Sequence, residues 1–160
     1  MKRGTTLFLR AAVILIGIPV LAICLFVVPK LAGFAASLYP DQSWIEVLFY
    51  IDLYPAAILF YFALYQAFKL LGYIDRNQAF SGLSVRALKM IKYCAAGISG
   101  LLAVGLPLFY LVAERDDAPG FILIGMVLIF AAVVVAVFAA VLEKLLEEAI
   151  AIKSENDLTV

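Results

Sequence analysis

An all-α integral membrane bundle of four spanning helices is the fold this sequence predicts, and three observations carry that prediction. Sixty-six per cent of the 160 residues are hydrophobic, and the mean hydropathy is +1.10. The apolar residues gather into four stretches, at 11–29, 45–69, 91–113 and 121–142, separated by short polar links. Each stretch meets or approaches the about 20 apolar residues that a helix needs to cross ~30 Å of hydrocarbon. Basic residues, finally, are shared unevenly among the links. A soluble domain of this length would need polar outer faces, and this chain has too few polar residues to build them. One transmembrane domain over residues 1–160 is expected, its last part, 143–160, forming a cytoplasmic tail.

The charges orient the spans. Lys2, Arg3 and Arg10 precede or open the first, and the link between the second and third carries Lys69, Arg76, Arg86, Lys89 and Lys92 against Asp75. The remaining links carry Lys30 with Asp41 and Glu46, and Glu114-Arg115-Asp116-Asp117. Short cytoplasmic loops are enriched in Lys and Arg. Both termini and the middle link are therefore expected in the cytoplasm, with the chain multi-pass in a bacterial cytoplasmic (inner) membrane. The zero net charge conceals this asymmetry.

The first span has the basic start and apolar core of a signal peptide, and Leu21-Ala22-Ile23-Cys24 is faintly like a lipoprotein cleavage box. Bulky Ile23 occupies the position that cleavage needs small, and the apolar run continues to Val28. A retained helix is expected.

The second span is the most patterned. At ~100° per residue, Tyr50, Tyr54, Tyr61 and Tyr65 share one sector, while Asp52, Ala56, Leu59, Ala63 and Gln66 share the opposite one. Small and polar residues favour helix–helix contact. The Asp52–Gln66 face is expected to turn into the bundle, with the tyrosines toward lipid or a neighbouring groove. Asp52 and Gln66 form a candidate intramembrane polar site. A carboxylate at a span centre costs at least ~2.5 kcal/mol and often marks an ion path. Asp52 lies only eight residues beyond the interfacial anchor Trp44, and no other span places an ionisable partner deep in the membrane. The ordinary reading is a carboxyl group bonded to a neighbouring helix or to boundary water.

Before the third span, Phe80-Ser81 reads as a staple and N-cap, with the Ser81 side chain placed to accept a backbone N–H. Arg86, Lys89 and Lys92 then recur every three residues among Leu83, Leu88 and Ile91. Such a segment suits an anionic membrane surface. The same lipid explanation argues against direct nucleic acid binding. Pro19, Pro29, Pro55 and Pro107 imply helix curvature, which membrane spans tolerate. Ala96/Gly100 and Ala132/Ala136/Ala140 offer small-residue steps for close packing or for a homo-oligomer.

The fourth span keeps helical spacing beyond its apolar run. Leu142, Leu145, Leu146, Ala149 and Ile152 form one side, with Glu143 and Glu147 on the other. Residues 143–160 carry net charge −3, from two Lys against four Glu and one Asp. This acidic amphipathic tail can dock on the basic middle link or be offered to a cytoplasmic protein. Arg86, Lys89, Lys92, Glu143, Glu147, Glu148 and Asp157 are the candidate partner-binding residues.

Residue usage narrows the chemistry. The chain has no histidine and two cysteines, Cys24 and Cys94, both in or at the end of spans. Cys/His metal sites and Ser-His-Asp or Cys-His nucleophiles are excluded. No catalytic, metal or cofactor residue is assigned, and the chain is not expected to be an enzyme.

Phe80-Ser81, the basic Val85-Arg86-Ala87-Leu88-Lys89-Met90-Ile91-Lys92, and the ending Glu155-Asn156-Asp157-Leu158-Thr159-Val160 give the chain a family likeness. It resembles a bacterial family of four-span membrane proteins, domain of unknown function 2975. Members are often encoded beside a small helix-turn-helix regulator. The resemblance implies, by that association, an accessory or regulatory membrane protein that binds a cytoplasmic transcription factor. The alternatives are a small transporter or immunity-type protein using Asp52 and Gln66, or a structural subunit of a membrane complex.

Overall fold

A computed structural model describes residues 3–158, with side chains from residue 4 onward. Lys2, Thr159 and Val160, used above for topology and for the ending motif, lie outside the described residues, as does the Arg3 side chain. The described chain is helical nearly throughout. α1 (Arg3–Ala22) continues through a π-helical turn, Ile23–Val27, into α2 (Val28–Leu38). α3 (Trp44–Asp75), α4 (Gly82–Arg115) and α5 (Gly120–Leu158) follow. Four rods, Gly4–Leu38 among them, are long and apolar enough to cross a membrane.

Each rod outruns its apolar stretch. The first reaches Leu38 rather than stopping near 29: Pro29 stands at the start of α2, and Tyr54 of α3 donates to the Cys24 carbonyl that the proline leaves open. α5 is 39 residues long, ~58 Å at 1.5 Å per residue, about twice the hydrocarbon thickness.

The turns have local causes. Asn77 adopts φ 59° just past α3, and there the Gln78 N–H reaches the Tyr73 carbonyl at 2.7 Å while the Asn77 N–H reaches that of Ile74 at 3.2 Å. This paired closure satisfies the last carbonyls of the helix, and Asn tolerates the left-handed conformation it needs. Asp117, at φ 51°, does the same after α4, with Ala118 N–H on the Ala113 carbonyl at 2.9 Å. Ser81 has the extended backbone of an N-cap, but its side chain makes no cap bond. The Ser81 and Ser84 hydroxyls both donate to the Gln78 carbonyl, which the turn leaves pointing toward them. This corrects the expected acceptor role of Ser81.

The helices pack as an open row in chain order. The α1–α2 rod lies on α3, α3 on α4, and α4 on α5. α3 can be a middle member because it has two packing faces. Tyr54 and Tyr61 donate hydrogen bonds to the Cys24 and Gly17 carbonyls of the first rod, at 3.0 and 2.8 Å. Asp52, Ala56 and Gln66 are buried on the other face. The tyrosines thus occupy a groove against the first rod, apart from Tyr65, which is exposed.

The densest core lies at the end of the bundle opposite the α3–α4 link. Ala32, Ala35, Ile45, Phe49, Leu108, Phe109 and Val112 form it, with Phe49 and Phe109 edge to face at 5.8 Å. Close helix approach occurs at Gly105 and Gly125. A Cβ on Gly125 would lie 3.0 Å from Leu106 Cδ1, and one on Gly105 would overlap the Asp52 carboxylate. The anticipated Ala96/Gly100 step faces outward instead: Ala96 is exposed and Gly100 has no neighbour within 4 Å of its missing Cβ. Gly97, one position over, faces Leu59. Most outward side chains, including nearly the whole circumference of α5 between Phe121 and Leu142, are apolar, as lipid-facing helices require.

Candidate functional site

The end of the bundle that carries the α3–α4 link brings the chain's charged residues together. Arg10 of α1 pairs with Asp75 at the end of α3, Nη2 to Oδ2 at 3.3 Å, and its guanidinium lies 5.2 Å from the Phe68 ring centroid. Lys153 of α5 stands over Phe80 at 5.9 Å. The start of α1, the middle link and the end of α5 are therefore neighbours. Arg10 and Asp75 were legible only as topology charges, since nothing in their spacing links residues on different helices.

The basic triplet does not form one patch. Three-residue steps advance 300° around a helix, so the set drifts by about 60° per step. Arg86 therefore faces α3, where it lines a pocket with Gln66, Lys69, Tyr73, Ala87 and Met90. Lys89 is exposed. Lys92 turns to α5 and meets Glu143, Nζ to Oε2 at 2.7 Å.

Glu143, on the side opposite the leucines, is only 9% exposed and faces α4, so the start of the acidic tail meets the basic segment within the same chain. Burial this deep costs a carboxylate its water, and the charge-assisted contact with Lys92 compensates for it. Lys92 and Glu143 thus hold the α4–α5 seam together. Glu147, Glu148 and Asp157 remain exposed.

Beside the seam runs an apolar groove of about 410 Å³. Leu70 and Ile74 of α3, Phe80, and Leu142, Leu145 and Ala149 of α5 are among its walls. It continues along Ile152 and Asn156 past Phe80. Phe80, more than half exposed, lines this groove. Leu145, Ile152 and Leu158 are also more than half exposed.

Asp52 and Gln66 share a face of α3 but not a site. Fourteen residues separate them, ~21 Å along the helix. Asp52 lies against Gly105 in the α3–α4 interface, and its buried Oδ2 has no hydrogen-bond partner among the described residues. Gln66 opens on the Lys69–Arg86 pocket.

No solved structure matches this chain. It is 66% identical, over the full length of both chains, to the uncharacterized membrane protein YoaS of Bacillus subtilis (strain 168). With four helices able to span a bilayer and a membrane protein as its relative, it is a multi-pass membrane protein. Residues 30–160 match the family described as protein of unknown function DUF2975, and the chain belongs to that family.

Proposed function

We propose that the chain is a non-enzymatic accessory or regulatory protein of the bacterial cytoplasmic membrane, binding a cytoplasmic partner on the projecting end of α5. The observation that carries this reading is the unbroken run of α5 for sixteen residues past Leu142, with an open apolar groove along it. Apolar surface kept in water beyond the bilayer is costly unless something covers it. The occupant is an amphipathic helix with basic residues on its other faces, because the stretch of α5 that carries the groove also exposes Glu147, Glu148 and Asp157. A small helix-turn-helix regulator, as the family association implies, supplies such a helix.

The test uses the intact protein in mild detergent from its native host. Truncation after Leu142 would also remove Glu143 and unpair Lys92, so Leu145→Glu with Ile152→Glu is the cleaner variant. A helix-turn-helix protein recovered with the native chain and lost with this variant, at unchanged membrane insertion, supports the reading. Equal recovery with both defeats it.

A second reading, a small transporter or immunity-type protein, draws on one observation, the unpartnered Asp52 Oδ2 inside the bundle. It requires that Asp52→Asn abolish transport or protection; native behaviour of that variant removes its main residue.

A further inference from the structure

We propose that the pocket between the ends of α3 and α4 binds a phosphate-bearing anion, an anionic phospholipid headgroup or free phosphate, through Lys69, Arg86 and Gln66. Gln66, Lys69 and Tyr73 stand at i, i+3 and i+7 on one face of α3, and α4 answers with Arg86 and Met90. The half-open space is about 390 Å³, room for a phosphate with its glycerol.

Charge makes the pocket selective. Two cations from two helices line it, with no carboxylate among the lining residues. Two carboxylates at this end are engaged elsewhere, Asp75 with Arg10 and Glu143 with Lys92. Among the described residues neither Lys69 nor Arg86 has an ion pair, and Lys69 stands over the Tyr65 ring at 5.6 Å. Two facing cations repel, and an anion between them reverses the sign of that interaction.

Gln66 adds a second, independent sign. It is only 8% exposed, so its amide meets a ligand or solvent through the pocket it lines. That amide offers two N–H donors to whatever fills the pocket. Guanidinium and ammonium groups give charge-assisted bonds to phosphate oxygens, the Arg fork in bidentate form.

Depth fits a headgroup. Lys69 lies six residues before the end of α3, ~9 Å, and Arg86 four residues after the start of α4, ~6 Å. Tyr65 and Tyr73 stand ~6 Å to either side of Lys69 along α3, and aromatics of this kind are enriched at membrane interfaces. Basic pockets between spans on the cytoplasmic side are suited to anionic headgroups.

The experiment is native mass spectrometry of the intact protein, delipidated in detergent and offered phosphatidylglycerol, phosphatidylcholine or inorganic phosphate. One phosphatidylglycerol bound per chain, weakened about tenfold by Lys69→Gln with Arg86→Gln, and phosphatidylcholine bound markedly less well, assigns a lipid headgroup. Inorganic phosphate bound through the same two residues, and competing with the lipid, assigns free phosphate. Lys69→Arg with Arg86→Lys must keep binding, and Lys153→Gln, which removes charge elsewhere at this end, must leave it unchanged. Arg86→Gln alone, at an exposed position, covers the case in which the double variant does not fold. Equal binding by native protein and Arg86→Gln, or equal loss with Lys153→Gln, overturns the proposal.

Discussion

Gly105 and Asp52 meet where two helix backbones approach too closely for any side chain on the first. A Cβ at position 105 would overlap the Asp52 carboxylate, so one of the two must move. Gly105→Ala should therefore destabilise the protein by about 1–3 kcal/mol, as overpacking does, seen as a lower Tm in detergent. Asp52→Ala in the same chain should recover most of that loss by vacating the space. A Gly105→Ala protein as stable as the native one would show that the helices are farther apart. Lys92 and Glu143 pose a different residue-scale question, because their burial is unequal: the Glu143 side chain is 11% exposed and that of Lys92 25%. Removing Lys92 strands the more buried charge, whereas removing Glu143 leaves a cation that can reach water. Lys92→Ala should lower Tm more than Glu143→Ala, and the two losses should not add. An additive pair would mean that the contact carries no coupling. Asp52 was legible in the sequence as a residue turned into the bundle, from its place opposite the tyrosines. Its glycine neighbour was not, because nothing local in either segment sets the register of α3 against α4.

At the scale of one element, the first rod shows how a proline reshapes a helix and recruits a distant hydroxyl. Within Ile23–Val27 the hydrogen bonds step by five residues, and the Val28 N–H reaches the Ile23 carbonyl. The next bond in that register would run from residue 29 to the Cys24 carbonyl. Residue 29 is proline and has no N–H. Tyr54 of α3 donates to that open carbonyl at 3.0 Å. Neighbouring helices re-satisfy proline-freed carbonyls in just this way. Tyr54→Phe should cost about 1 kcal/mol in the native chain and clearly less in a Pro29→Ala background, where the rod supplies its own donor. Equal costs in both backgrounds would detach Tyr54 from the proline. The sequence announced the spanning helix through its apolar length. The widened turn escaped it, since π and α geometry differ by one residue of register that composition does not encode. The Asn77 and Asp117 turns were equally open in sequence, because either residue can also sit in an ordinary helix end.

For the whole molecule, the even number of spans and the position of the charges make one connected claim about orientation. Arg10 pairs with Asp75 and Lys153 stands over Phe80, so the start of α1, the α3–α4 link and the end of α5 share one end. Tyr39 donates to the Leu111 carbonyl at 2.8 Å, and the Arg115 guanidinium lies 4.6 Å from the Tyr39 ring, which fixes the two remaining links at the other end. The bundle therefore has two chemically distinct caps, and the order of its row follows from which faces were available. α3 had an aromatic and a polar face and could be sandwiched; α5, apolar around its spanning part, could take an end position against lipid. That much of the architecture was written in the periodicity of α3, whereas the choice of α4 as the partner of α5 rests on the Lys92–Glu143 match between residues 51 apart in the chain. The positive-inside rule predicts that the basic cap faces the cytoplasm, and accessibility of single cysteines tests it. With Cys24 and Cys94 replaced by Ala, single cysteines made by Gln78→Cys and Asn156→Cys should resist a membrane-impermeant thiol reagent applied to intact cells and react once the cytoplasmic face is opened. Asp41→Cys and Asp117→Cys should react in intact cells without that treatment. Both links and the tail reversing together would invert the protein and carry the phosphate pocket and the α5 groove to the outer face. A reaction at Gln78→Cys from one side and Asn156→Cys from the other would instead break the shared end on which both proposals stand.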